Sequence, residues 1–311
     1  MISTIVLQNL DTGPIAPTDD LPDTQGSSVI HSGGHNMTSY YIACISVFVA
    51  AYLLNISYIS IFYHRGLTHD AIQLSPGLRK FVIATGSWVT GIDPKAWSCM
   101  HRMHHIYSDT DKDPHSPMRW GIFGTILGQL YSYNTTLRGL KRLDPQYTSV
   151  VPDLDFDINW LNRHRLWLAP YLTHAAIWLI LGLGFHSWLL GYAYFAGMMT
   201  HPLQGWLVNA FGHAAGYRNF KVDDNSRNNT LVAWFVFGEG YQNNHHRFPK
   251  AAKFSMRWFE VDMGYGMARF MSALGLLTIP QLTSRQQEHE PYLAGFGALP
   301  NNAPAAPHSS L

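Results

Sequence analysis

The chain has 311 residues, 47% hydrophobic and only 13% charged, with a formal net charge of +1. Soluble proteins carry about 25% charged residues, so the balance points to a membrane, and nothing in it favours a nucleic-acid partner. A mean hydropathy of −0.06 confines the membrane part to a minority of the chain. Two cysteines, Cys44 and Cys99, far apart and outside any CxxC, exclude a disulfide framework and a cysteine-based zinc site and read as small buried hydrophobes.

Residues 1–37 hold four acids, no Lys or Arg and no periodic apolar pattern, and read as disordered. A first span is expected at about 38–63, which matches the roughly 20 helical residues that a hydrocarbon slab requires. It runs into His64-Arg65-Gly66-Leu67-Thr68-His69. Five residues on an α-helix turn through about 140°, so the two imidazoles share no stripe. They reach one metal if the helix frays after Gly66; otherwise they serve different metals.

Residues 76–98 mix apolar runs with Gly, Pro and Lys and read as a membrane-hugging helix and turn. Next comes His101-Arg102-Met103-His104-His105. On a helix His104 falls about 60° to one side of His101 and His105 about 40° to the other. Three imidazoles thus fan across one face, and imidazole is the commonest metal ligand near neutral pH. A polar, turn-rich loop, SDTDKDPHSP, is followed by a short apolar helix at 120–134. Asp153, Asp155 and Asp157 lack the glycine and closing glutamate of a calcium loop and read as solvated.

Two more spans are expected at about 166–185 and 188–208, with single histidines (His174, His186, His201) read as satisfied or interfacial. The last span runs into Asn209 and His213, which share a helical face, and the next landmark is Gly238-Glu239-Gly240-Tyr241-Gln242-Asn243-Asn244-His245-His246-Arg247-Phe248-Pro249. Residues 285–311 read as a disordered tail. All 21 basic residues fall in 64–165 or from Arg218 onward. Positive loops stay cytoplasmic, so these stretches share the inner face and the N-terminus lies outside. Eight imidazoles then gather on one side: His64, His69, His101, His104, His105, His213, His245 and His246. One zinc takes at most four protein ligands, so eight suggest two metals. Glu-x-x-His and HExxH are both missing, which leaves a histidine-rich dinuclear site whose nitrogen donors suit iron.

The order HRGLTH, HRMHH, Asn-x-x-x-His and GEGYQNNHHRFP resembles the membrane-bound fatty acyl desaturases of the acyl-CoA desaturase type, especially bacterial members, over about residues 40–280. The SDTDKDPHSP loop, the GYR after His213 and the WFEVDMGYGMARFMSALGL stretch extend the likeness. It implies an all-α, multi-pass membrane domain at 38–284, with a cytoplasmic helical cap holding two iron ions on the clustered histidines. Asn209 would reach one metal through water, and Trp97 and Trp206 would line a bent acyl tunnel. The implied activity is O2-dependent insertion of a double bond into a fatty acyl chain. The electrons would come from an external donor, a ferredoxin or a cytochrome b5-like protein, and the bacterial inner membrane is the expected location.

Two departures qualify this. The third box of the family usually opens with His where this chain has Gln242, which leaves three readings open: direct ligation, a held water, or altered chemistry. The Arg-Asp that helps hold CoA in animal enzymes is Cys99-Met100 here, so CoA, acyl carrier protein and a lipid ester all stay open as carriers. Moreover, animal relatives have four spans where three are expected here. The rival activities are a di-iron hydroxylase and a catalytically dead metal-binding membrane protein.

Overall fold

The computed structural model describes the backbone of residues 30–281 and side chains from residue 37. The expectations for 1–37 and 285–311 lie outside the described residues, apart from residues 30–37 at the start of the first helix. The chain divides into two units after Ile42, and the larger one, from Ala43 onward, carries all of the histidine motifs. The architecture is helical, with a single two-stranded antiparallel sheet among the described residues, Gln73–Leu74 against Leu277–Thr278.

Helix α1 (Ile30–Ile56) continues without a break as a π-helix, Ser57–Thr68. The stretch Met37–Thr68 is long and apolar enough to cross a membrane. Three later helices open with proline, α2 (Pro76–Thr90), α3 (Pro94–Tyr107) and α4 (Pro117–Lys141), and the side chains of Asp93 and Ser116 cap the last two. Proline at the first helical position gives up an N–H that would have no intrahelical partner there. Gly91 ends α2 at φ 76°, a left-handed conformation that glycine adopts without steric penalty.

Helix α4 is longer than the 120–134 expected. Gly121, at φ 68°, kinks it near its start, and the helix then runs on past Asn134 to Lys141. The helices that complete the frame are α5 (Ala169–Gly184), α6 (Trp188–Met198), α7 (His201–Trp206), α8 (Gln242–Arg247) and α9 (Met263–Ala273), with a second π-helix at Leu207–Phe211. The continuous segment expected at 188–208 is therefore broken near Thr200. Pro202 lacks the N–H that would carry the α-ladder through, and the chain restarts as α7.

Two packing faces fix α3. Ala96, Cys99 and Met103 lie on one stripe and bury against Leu140 of α4 and Val150, Val151, Leu154 and Ile158. The opposite stripe presents histidines toward the first π-helix, whose own core is Tyr58, Ile61, Phe62, Tyr63 and Leu67. Both cysteines are buried and free, as expected. On the outer side, α4, α5 and α6 leave Phe123, Leu127, Leu172, Ile180, Leu183 and Tyr192 exposed.

Asp93 ties α3 down twice. One carboxylate oxygen accepts from Lys95 N at 2.9 Å and Ala96 N at 3.1 Å, and the other accepts from Asn159 N at 2.7 Å. Losing a cap costs about 0.5–2 kcal/mol, and stranding a buried N–H about 1–3 more. Asp93→Ala should therefore destabilise the protein by about 2–4 kcal/mol, with Asp93→Asn losing less. Denaturant unfolding in detergent checks this; equal stability of Asp93→Ala and the parent would refute it.

Candidate metal centre

The His64–His69 pair is resolved in a way that an α-helical reading could not anticipate. The π-helix carries i→i+5 bonding through this segment, and His69 N donates to His64 O at 3.1 Å. The wider turn brings residues five apart toward the same face, and the two rings lie 4.7 Å apart. Neither fraying nor separate metals is needed.

These two join His101, His105 and His245 in one buried cluster. The Nε2 of His64 lies 2.9 Å from that of His101 and 3.0 Å from that of His245. His101 Nε2 lies 3.0 Å from the Nε2 of both His69 and His105, and His245 Nε2 lies 3.0 Å from that of His105. His64 Nδ1 faces Glu239 at 2.5 Å, which keeps its proton on that side and turns its Nε2 lone pair inward. A ring of nitrogens this close cannot be satisfied by donating to one another, because each neutral imidazole has a single N–H. A central cation would satisfy all five.

A second cluster holds His104, His213 and His246. In each, Nε2 is buried without a hydrogen-bond partner. In each, Nδ1 meets a carboxylate: Asp113 at 2.9 Å, Asp109 at 2.9 Å and Asp224 at 2.6 Å. A carboxylate that fixes the tautomer behind a metal-ligating imidazole is the usual supporting arrangement. The two clusters adjoin, with the His105 and His246 rings 4.4 Å apart. The i, i+4 pair His101 and His105 serves the first, while His104 serves the second.

Electrostatics agree with neutral, lone-pair-bearing rings. Burial, then the neighbouring imidazoles, push His69, His101, His105 and His245 well below the ordinary histidine range. Burial alone would raise Asp109, but its hydrogen bond and attraction to His213 outweigh that and hold it at about 2. Asp113 and Asp224 are likewise held below the usual carboxylate range: burial opposes this, and His104 and His246 overcome it.

Two buried arginines inside the histidine motifs hold the frame. Arg65, wholly buried, reaches Glu239 at 2.6 Å, Asp262 at 3.0 Å and Ala252 O at 3.0 Å, with the Phe254 ring 3.9 Å away. It thus braces the carboxylate that braces His64. Arg102 donates to Thr68 O at 2.9 Å and Leu67 O at 3.3 Å, the last carbonyls of the π-helix, and pairs with Asp153 at 2.5 Å. It locks α3 to the segment that carries His64 and His69. Asn244 does the same for α8, donating to Phe254 O at 2.8 Å and Glu260 at 2.9 Å.

A cavity of about 770 Å³ adjoins the clusters, lined by His64, His101, Glu239 and Gln242 at the histidine side and by Ile56, Ile59, Met100, Leu130 and Val208 along its walls. Arg138, Lys141 and Arg165 stand along its lining too, giving it a cationic portion. Trp97 lines it and stacks on His101, with ring centroids 5.1 Å apart and planes 3° apart. Trp206 does not line it: the indole donates to Ile122 O at 2.7 Å and lies against Phe123 and Phe211. Asn209 lines the cavity, its amide 3.5 Å from Gln129 Oε1. Gln242 is buried, its amide nitrogen committed to Glu239 O at 2.7 Å. His115 was missed by sequence reasoning. It is buried, both ring nitrogens lack partners, and its ring lies 4.6 Å from His104. Burial foremost pushes it down to about 3.

Residues 38–272 match the family model described as fatty acid desaturase. The chain belongs to the fatty acid desaturase family. Curated relatives agree. It is 31% identical to the sn-1 stearoyl-lipid 9-desaturase of Anabaena variabilis, over 74% of this chain and 80% of that one. It is 30% identical to the hex-5-enoyl-[acyl-carrier protein] acetylenase of Moorena producens, over 75% of each chain. It is 28% identical to the icosanoyl-CoA 5-desaturase of Limnanthes douglasii, over 79% of this chain and 67% of that one. The chain is accordingly an oxidoreductase of fatty acyl chains, with histidine clusters compatible with metal.

Carboxylates behind ligating imidazoles are typically worth about 10–100-fold in metal affinity. Asp113→Ala should therefore weaken metal retention by about that factor, while Asp157→Ala, an exposed carboxylate far from the clusters, leaves it unchanged. Competition with a chelator measures both, and equal retention in the two variants would count against the supporting role of Asp113.

Proposed function

We propose that the protein inserts a double bond into a fatty acyl chain, using O2 and two iron ions. The observation that carries this reading is the convergence of eight imidazoles into two adjoining sets beside an apolar cavity. His64, His69, His101, His105 and His245 would hold one ion, and His104, His213 and His246 the other. Asn209, which lines the cavity, would reach the centre through water. Two bound irons would supply an oxidant strong enough to remove hydrogen from an unactivated methylene.

The chain's own residues do the rest. Glu239, Asp113, Asp109 and Asp224 hold the Nδ1 protons of His64, His104, His213 and His246, so that the Nε2 lone pair of each of these four is directed inward. The apolar walls exclude water and bind methylenes. Trp97, flat against His101, limits where a chain can pass. Positioning of this kind supplies much of an enzyme's rate and selectivity. Arg138, Lys141 and Arg165 suit the polar carrier that remains outside the apolar part, and the three relatives act on lipid, acyl-carrier-protein and CoA forms.

The same reading makes the chain a multi-pass protein, most simply of a bacterial inner membrane. Residues 38–284 would form the desaturase domain, with the histidine clusters facing the cytoplasm. Exposed apolar faces on α4, α5 and α6 support this, since contiguous apolar surface in water is unusual. Two electrons per turnover would come from a separate ferredoxin or cytochrome b5-like protein.

Gln242 in place of an imidazole favours one second reading, hydroxylation of the same chain. Product mass separates the two: desaturation loses two hydrogens, hydroxylation gains one oxygen. Expression in a host lacking its own desaturase should yield new monounsaturated fatty acids, and His104→Ala should abolish them. New unsaturation that survives His104→Ala would overturn the assignment.

A further inference from the structure

Four carboxylates back the histidines of the clusters, and they differ in one respect. The side chain of Asp224 is 14% exposed, against 7% for Glu239, 5% for Asp109 and 0% for Asp113. The pair His246–Asp224, closed at 2.6 Å, is therefore the most accessible bonded route from the centre to water among these four.

Cations surround the outer end of this route. Arg218 donates to Asp224 O at 2.9 Å. Lys221 is exposed one residue beyond Phe220, whose ring packs 5.1 Å from Phe248. The Arg247 guanidinium lies 5.5 Å from that same Phe248 ring. Arg257 donates to Asn219 and lies 5.9 Å from the Tyr217 ring. Four positive side chains from three chain segments thus form one patch. Of the acids between residues 214 and 262, Glu239, Glu260 and Asp262 are buried and Asp224 is engaged by His246, which leaves Asp223. Beside Arg257, Trp258 is 95% exposed, and an exposed aromatic at the edge of a charged patch is characteristic of a protein interface.

We propose that the patch of Arg218, Lys221, Arg247 and Arg257 is the docking surface for an acidic one-electron carrier protein, whose electrons enter by way of His246 and Asp224. The inference rests on the desaturase reading for the need for electrons. That reaction takes –CH2–CH2–, O2, two electrons and two protons to –CH=CH– and two waters, and on that reading a reduced iron–sulfur or haem protein supplies the electrons one at a time. Complementary charge raises the rate of encounter and fixes orientation, and its effect fades with salt.

The test uses the full-length, iron-loaded protein in nanodiscs, with a plant-type [2Fe–2S] ferredoxin and a soluble cytochrome b5 domain as acidic probes. Lys221→Glu/Arg257→Glu should weaken binding of at least one probe by about tenfold or more and flatten its salt dependence. Iron per chain should be unchanged, KM for the carrier should rise, and kcat at saturation should hold. Lys221→Gln/Arg257→Gln should fall between, and Arg142→Glu, an exposed cation elsewhere, should bind as the parent does. Three results overturn the proposal: equal Kd and equal salt dependence in parent and reversed variant, no binding of either carrier by the parent at low salt, or loss of binding to anionic vesicles alone. If the parent binds a carrier in this charge-dependent way yet forms no double bond even with a chemical reductant, the desaturase reading fails and the docking surface stands.

Discussion

An imidazole has two nitrogens and, when neutral, one proton to share between them. Much of this structure depends on where that proton is put. For four of the eight converging histidines a carboxylate sits at Nδ1 within 2.9 Å and claims it. The lone pairs at Nε2 are then left facing one another, an arrangement that repels unless a cation lies between them. Burial of so many neutral rings is stable only in such company. A buried nitrogen with no partner forfeits about 1–3 kcal/mol, and three of them sit in the second cluster alone.

The surrounding frame serves that demand for convergence. The first cluster draws on three segments, the π-helix with its His69 cap, α3 and α8, and Arg102 ties the terminal carbonyls of the π-helix to α3. A buried arginine is expensive to desolvate and is retained where it fixes geometry. Arg65 and Arg102 both sit within the histidine motifs and spend their donors on backbone carbonyls and carboxylates rather than on solvent. Gly212 and Gly264 permit close approaches beside these residues, since an added Cβ would lie 2.5 Å from Gln242 Cγ and 2.8 Å from an Arg65 guanidinium nitrogen.

What the sequence made legible was local. The i, i+3, i+4 fan of HRMHH and the apolar run before it followed from helical periodicity alone, and the family resemblance rested on the order of the histidine motifs. The pairing of His64 with His69 was not legible, because a π-helix breaks the angular arithmetic that assumes α geometry. The carboxylates behind the rings were equally hidden. Asp109 and Asp113 read as parts of a polar loop and Asp224 stood in another, and no spacing rule links them to His213, His104 or His246. Glu239 alone had a signal, since it lies three residues before Gln242 in the third motif. For Trp206 the resemblance implied a tunnel wall, and the indole N–H is spent on the backbone carbonyl of Ile122.

The Gln242 substitution can be weighed on the same terms. Its amide nitrogen is held by Glu239 O, and the residue lines the cavity between the clusters and the acyl wall. A glutamine there offers an oxygen where the family usually offers a nitrogen, so the second cluster keeps three imidazoles against five in the first. Carboxamide oxygen binds iron more weakly than imidazole nitrogen does. Gln242 shares the cavity lining with His64 and His101, while His104, His213 and His246 are not part of it, so the substitution changes the wall that a bound chain would meet and leaves all eight converging imidazoles in place.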